Sequence, residues 1–362
     1  MPWLANLALA LTSIALMSLA LEVGLRVRAH LENRGLLGGG AIARGVEIPA
    51  DGPAELGHMI RLASDPDVVY ELKPDLSVLY QGARVTTNAE GFRTHDTRRA
   101  TPMDALCILG IGDSFMFGQG VPGADTYLAV LEARLADQHP DRAFRIVNTA
   151  VPGYNTVMEV ATLEAKGLAH GPRVVVVEFV GNDLTLPNFV GEPRRPWSLR
   201  RSHLGDFVKE RLGVRGDRSL FRQLLDAGLR GIPQESTDEL GNTADPSLVP
   251  PSYRRLVGWS AYETAMRKLQ DLSRRHGFEV VSISLAPRDA PLKTRALDLS
   301  ETLGFHVLDV GVAFRDSLEA NGHDSYLESP LALHPDDGHP SILAHRIAGE
   351  LLADFIEQEV LP

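Results

Sequence analysis

The chain has 362 residues, 44% of them hydrophobic, and a formal net charge of -11. That length holds one large α/β domain with additions, or two domains, and an acidic chain without a basic stripe argues against a nucleic-acid partner. Cys107 is the single cysteine, which excludes an intrachain disulfide and a cysteine-based metal cluster.

From Trp3 to Leu21 the only polar residues are Asn6, Thr12, Ser13 and Ser18, and none is charged. The run has the length of one membrane-spanning helix. A cleaved signal peptide is the competing reading: Ser18-Leu19-Ala20 offers a small-x-small cleavage site, although no Lys or Arg precedes the run. Arg26, Arg28 and Arg34 follow it, and the positive-inside rule would then leave the rest of the chain in the cytoplasm. Gly35 to Gly57 reads as a linker rich in Gly, Ala and Pro. Val68 to Val85, broken by Pro74 and Gly82, suggests short strands and turns. Asn88-Ala89-Glu90-Gly91-Phe92-Arg93 reads as a turn with Gly91 at positive φ.

From Ala105 strand, loop and helix alternate. Leu106 to Gly110 is the first buried strand, with Cys107 as a small buried residue within it. Leu128, Leu131 and Leu135 mark a helix face. Arg145 to Asn148 is a second strand, Met158 to Leu168 a helix, and Arg173 to Val180 a strand whose four valines suit burial on both faces of a parallel sheet. Pro187 to Pro251 is irregular apart from a weak helical stretch at Leu220 to Leu229, and reads as a long insertion. Tyr262 to Arg275 is helical, Glu279 to Leu285 and Phe305 to Val310 are strands, and Ile342 to Phe355 is a last helix. The expected divisions are an anchor or signal segment at 1–25, a linker with a small β-rich segment at 26–104, and an α/β domain at 105–362 with an insertion at 187–251. The alternation implies an open parallel sheet with helices on both faces. Ligands then bind beyond the carboxyl ends of the strands.

The residues suited to chemistry stand at those ends. Ser114 follows the first strand through Gly112 and Asp113, the position of a nucleophile, although Met116 breaks the Gly-x-Ser-x-Gly pattern. The N–H groups of Ser114 and Gly153 and the amide of Asn182 are candidate oxyanion donors. Each has a plainer role available, Gly153 as a turn residue and Asn182 as a helix cap. His339 precedes the last helix as a candidate base, and Asp336, three residues earlier, is the candidate orienter of its imidazole. Asp337 is adjacent to it. His334 has Leu331 three residues before it and so lacks an orienter at that spacing, and Asp125, Asp309 and His323 read as surface or structural residues. No His-Glu-x-x-His, cysteine pair or Gly-rich loop with a following Lys suggests a metal or nucleotide.

Gly112-Asp113-Ser114-Phe115, Gly153, Gly181-Asn182-Asp183 and Asp336-x-x-His339 occur in one order, and together they closely resemble the SGNH hydrolases, also called the GDSL esterases and lipases. The resemblance spans Ala105 to about Leu352. It implies a flavodoxin-like three-layer α/β/α sandwich that needs no cofactor. By position it implies Ser114 as nucleophile, His339 as general base, Asp336 as orienter, and Ser114, Gly153 and Asn182 as oxyanion donors. An apolar N-terminal segment followed by Asn88, Gly91, Phe92 and Arg93 resembles a narrower bacterial group, some of it linked to extracellular polysaccharide acetylation. That group implies a catalytic domain outside the cytoplasm, opposite to the charges after the span. The expectation is a membrane-anchored serine esterase acting on small acyl esters, acetyl first, of carbohydrate or exopolysaccharide. An O-acetyltransferase would share its site residues, and a lipid-directed lipase or thioesterase its nucleophile. A catalytically silent glycan-binding or assembly protein would share the fold, but the filled catalytic positions speak against it.

Overall fold

Val174, Val175, Val176 and Val177 are all buried, as a β-branched run must be when helices cover both faces of a sheet. The structure, a computed structural model, describes residues 2–33, 46–49, 52–95, 105–191, 202–211, 219–232, 244–288 and 290–361. Arg34, most of the expected linker after Gly35 and parts of the expected insertion lie outside the described residues.

The chain divides into two compact units, Met1–Glu47 with Gly191–Arg230, and Ile48–Val190 with Gly231–Pro362. The first is built on the helix Pro2–Asn33, whose stretch Pro2–Arg28 has a mean hydropathy of 2.0 and is long and apolar enough to cross a membrane. Glu22 lies within that stretch, near its C-terminal end. Its carboxylate accepts from the backbone N–H groups of His203 at 3.1 Å and Leu204 at 2.6 Å, at the start of the helix His203–Arg211. Exposed N–H groups and a positive helix end favour a carboxylate there.

The second unit begins with two antiparallel pairs, β1 (Ile60–Leu62) with β2 (Tyr70–Leu72) and β3 (Ser77–Tyr80) with β4 (Ala83–Thr86). The turn after β4 is closed by Asn88. Its side-chain oxygen accepts from Glu90 N at 3.0 Å and Phe92 N at 2.9 Å, an Asx-type closure. Gly91 has φ +85°, and a Cβ there would lie 2.4 Å from the Leu72 carbonyl oxygen. No side chain fits that position, as the turn reading expects.

The sheet follows: β5 (Leu106–Ile111), β6 (Phe144–Asn148) and β7 (Val174–Glu178). Short strands β8 (Phe189–Gly191) and β9 (Leu229–Gly231) stand where the chain leaves this unit and rejoins it. Then come β10 (Glu279–Ser284) and β11 (His306–Asp309). The order is β11-β10-β7-β5-β6 and every pairing is parallel. Counted along the chain this is the flavodoxin-like order 2-1-3-4-5. One face is covered by the helices Thr156–Ala165, Trp259–His276 and Pro291–Thr302, whose Leu163, Met266, Leu269 and Ala296 join one core with Leu109 and Val177. The helices Tyr127–Gln138, Val310–Ala320 and Ile342–Glu359 cover the other. Cys107 is buried within β5 with a free thiol. The segment before the last helix holds a hairpin, β12 (Ala332–His334) with β13 (Asp337–Pro340).

Candidate active site

In a 2-1-3-4-5 sheet the crevice opens where successive connections leave in opposite directions, between the first and third strands. Here these are β5 and β7. β5 runs through Gly112 and Asp113 into a single helical turn, Ser114–Phe117. Asp113 caps it, its Oδ1 accepting from Phe115 N at 2.9 Å. Ser114 is thereby fixed at the mouth of the crevice.

His339 lies on β13, 225 residues further along the chain. Its Nε2 is 2.9 Å from Ser114 Oγ, and the Phe115 ring packs 5.3 Å from the imidazole centroid. His339 Nδ1 is 2.5 Å from Asp337 Oδ1, which also accepts from the His339 backbone N–H at 3.0 Å. A carboxylate on Nδ1 holds the proton there and leaves Nε2 free to accept from the serine hydroxyl. Partial burial pushes the Asp337 carboxyl up, but the hydrogen bonds and charge of His339, with the charge of His334, outweigh it and hold it below the usual range.

The carboxylate that meets the imidazole is therefore Asp337 and not Asp336, the candidate at the spacing of three. Asp336 sits in the hairpin turn with its side chain 93% exposed, and its carboxylate lies 3.6 Å from His334. The reason is strand geometry. Side chains two apart on a strand share a face, so Asp337 and His339 point together while Asp336 points away. The spacing of three suited an irregular segment, which β13 is not. A one-residue shift in the hairpin decides which carboxylate meets the imidazole.

The three expected oxyanion donors each follow a strand of the sheet, Ser114 after β5, Gly153 after β6 and Asn182 after β7. Asn182 lies in the turn Gly181–Leu184 after β7, and its Nδ2 donates to Asp113 Oδ2 at 2.8 Å. Gly153, after β6, has φ +76°, and a Cβ there would fall 2.2 Å from the Asn188 side chain. Among the described residues, the backbone N–H groups of Ser114 and Gly153 donate to no carbonyl, which leaves both for an anion. Asp113 is fully buried, and this pushes its carboxyl up against the opposing hydrogen bonds from Phe115 and Asn182 and the charge of His339. No local pattern in the sequence marks a role for this aspartate. Here it accepts from both the Ser114–Phe117 turn and the Asn182 amide.

Gln119 was also missed. Its Nε2 stands 3.4 Å from His339 Nδ1, and its Oε1 accepts from Tyr80 OH at 2.8 Å. Nothing local marks this residue, because it reaches the histidine only through the folded chain. Of the residues set aside as structural, Asp309 forms an ion pair with the buried Lys293 at 2.8 Å. Among the described residues, no group of three or more His, Cys, Asp or Glu is placed to hold a metal ion.

The sequence pattern of the GDSL-like lipase/acylhydrolase family matches residues 111–347. Esterase TesA of Pseudomonas aeruginosa is 34% identical over 79 residues, which is 22% of this chain and 38% of that protein. The chain thus matches well under two thirds of the length of that relative. A crystal structure of TesA superposes with a TM-score of 0.40 at 16% identity, covering 69% of this chain and 98% of that one. A structure of the acetyl xylan esterase Axe2 from Geobacillus stearothermophilus superposes with a TM-score of 0.41 at 17% identity, covering 72% and 100%. The family match runs from the last residue of β5 into the final helix and takes in Ser114, Gly153, Asn182 and His339; the chain belongs to the GDSL-like lipase/acylhydrolase family, the SGNH hydrolases.

Proposed function

We propose that the protein is a serine esterase that works through an acyl-enzyme, with Ser114 as nucleophile, His339 as general base and Asp337 as its orienter. The observation that carries this reading is the 2.9 Å approach of Ser114 Oγ to a His339 Nε2 whose other nitrogen is held by a carboxylate. Ser114 Oγ attacks the ester carbonyl as Nε2 takes its proton. The oxyanion forms against the Ser114 and Gly153 N–H groups and the Asn182 amide. The imidazolium, stabilised by Asp337, returns the proton to the leaving alcohol. Water, deprotonated by the same Nε2, then releases the acid and restores Ser114.

The acyl group proposed is acetyl and the alcohol a carbohydrate hydroxyl. This rests on the resemblance of Asn88, Gly91, Phe92 and Arg93, after an apolar helix, to proteins of polysaccharide acetylation. The helix Pro2–Asn33 is proposed as the membrane anchor, with the catalytic unit outside the cytoplasm. The test is acetate release from acetylated oligosaccharides by the full chain in detergent, beside its Ser114→Ala variant. Release that vanishes in the variant supports the reading. Equal release by both would sink it, and transfer to an added sugar in place of acetate release would redirect it to an acetyltransferase. A C-terminal reporter active only in the cytoplasm would overturn the sidedness.

A further inference from the structure

A one-turn helix leaves its last carbonyls without partners, and in Ser114–Phe117 that turn carries the nucleophile. Those carbonyls can be followed one by one. The Ser114 oxygen accepts from the N–H groups of Gly118 and Gln119, and the Phe115 oxygen from Gly118. The Met116 oxygen accepts from Asn148 Nδ2 at 3.1 Å. The next ones converge on one side chain from outside the sheet. Arg93 Nη1 donates to the Phe117 and Gly118 oxygens, the latter at 2.7 Å, and Nη2 donates to the Val121 oxygen at 2.5 Å. The guanidinium carbon lies 4.4 Å above the Phe117 ring. Arg93 is 4% exposed, and its backbone bridges to Asn148 on β6.

A buried cation held by three carbonyls of an eight-residue segment fixes the path of that segment. A guanidinium suits the task because its donors lie in a rigid planar fork, and it places positive charge at a helix C-terminus. The rest of the Asn88–Arg93 turn delivers it. Asn88 closes the turn, Gly91 admits the Leu72 carbonyl, and Phe92 is buried in the main core. Tyr80, from the same N-terminal segment, packs its ring edge-on against Phe117, and its hydroxyl holds Gln119 next to His339.

We infer that Arg93 is a positioning residue for the nucleophile. The Asn-x-x-Gly-Phe-Arg turn clamps the carbonyls that follow Ser114 and so sets the Ser114–His339 distance. This rests on the proposed role of Ser114. The experiment compares the full chain with Arg93→Lys, which keeps the charge and loses the fork. It measures p-nitrophenyl acetate kinetics and the rate at which a fluorophosphonate labels Ser114. Leu352→Ala, a core truncation on the opposite helix layer in Ile342–Glu359, serves as a control for lost stability, with each protein assayed at the same interval below its own Tm. The expected result is a thirtyfold or greater fall in kcat and in labelling rate for Arg93→Lys, with KM within threefold, and neither fall in the control. If the lysine variant is not recovered folded, Phe117→Leu removes the ring under the guanidinium, and at least a threefold loss of kcat is expected. An active wild type with a lysine variant within twofold of it overturns the inference alone, as does an equal loss in the control. A wild type whose labelling does not depend on Ser114 overturns the proposed function and the inference with it.

Discussion

Replacing Asp337 and Asp336 by asparagine, one at a time, separates two neighbouring carboxylates by their effect on one imidazole. Asp337 Oδ1 receives both the ring Nδ1 at 2.5 Å and the backbone N–H of His339 at 3.0 Å. Asparagine there can turn its NH2 toward Nδ1. The imidazole proton then moves to Nε2, which can no longer accept from Ser114. A change of this kind in a buried triad lowers kcat by about ten-thousandfold, or about 5 kcal/mol. The Asp337 side chain is 31% exposed, and water screens part of its field, so the lower end is expected, a loss of about a thousandfold or about 4 kcal/mol. Asp336 is 93% exposed and faces His334. Its screened charge is expected to change kcat by no more than about twofold, or about 0.4 kcal/mol. Steady-state hydrolysis of p-nitrophenyl acetate across pH 6–9 measures both. A collapse in Asp336→Asn with activity kept in Asp337→Asn would refute the strand-geometry reasoning and restore the spacing of three.

Other perturbations address the oxyanion side and the buried acids. Asn182→Ala should lower kcat by about a hundredfold or more with little change in KM, since an oxyanion donor acts on the transition state; an effect confined to KM would assign the amide to substrate positioning. Gly153→Ala forces a left-handed residue against Asn188 and should lower stability by about 1–2 kcal/mol, read by urea unfolding, and lower kcat as well; an unchanged midpoint would contradict the loop conformation. Glu159 is 1% exposed and neither of its oxygens has a hydrogen-bond partner among the described residues. Burial, with the charges of Asp183, Asp113 and Glu178, raises its carboxyl well above the ordinary 4.5. The folded chain then keeps a proton that the unfolded chain releases above that value. Wild-type stability falls as pH rises, by about 1.4 kcal/mol per unit for one such proton. Glu159→Gln removes that dependence, so its advantage over wild type should grow from pH 5 to pH 8 in urea melts. A difference independent of pH would mean that Glu159 is ionised in the fold.

What was legible in the sequence follows from how local each determinant is. The valine run at 174–177 announced a strand covered on both faces, because burial on both sides leaves no room for alternation. Leu128, Leu131 and Leu135 announced their helix by period, and all three are buried. The helix Pro291–Thr302 was hidden by its own first residue: proline reads as a breaker, yet it is tolerated at the first helical position. Val310–Ala320 was hidden because β11 ends at Asp309 and the helix starts at the next residue, with no turn between them. At the site, Ser114 and His339 stood out by their places before and after regular elements. Choosing between Asp336 and Asp337 required knowing that residues 337–340 form a strand. The partners of Arg93 and Gln119 are set by the packing of segments far apart in sequence, which no spacing encodes.

In the proposed mechanism Ser114 is a nucleophile made reactive by His339. The most direct measurement is to treat the full chain in detergent with a fluorophosphonate, locate the adduct by peptide mass, and follow p-nitrophenyl acetate hydrolysis in the same samples. One adduct is expected, on Ser114, with hydrolysis lost in proportion to labelling and labelling abolished in His339→Ala. An adduct on another residue, or hydrolysis that persists after Ser114 is fully labelled, would contradict it.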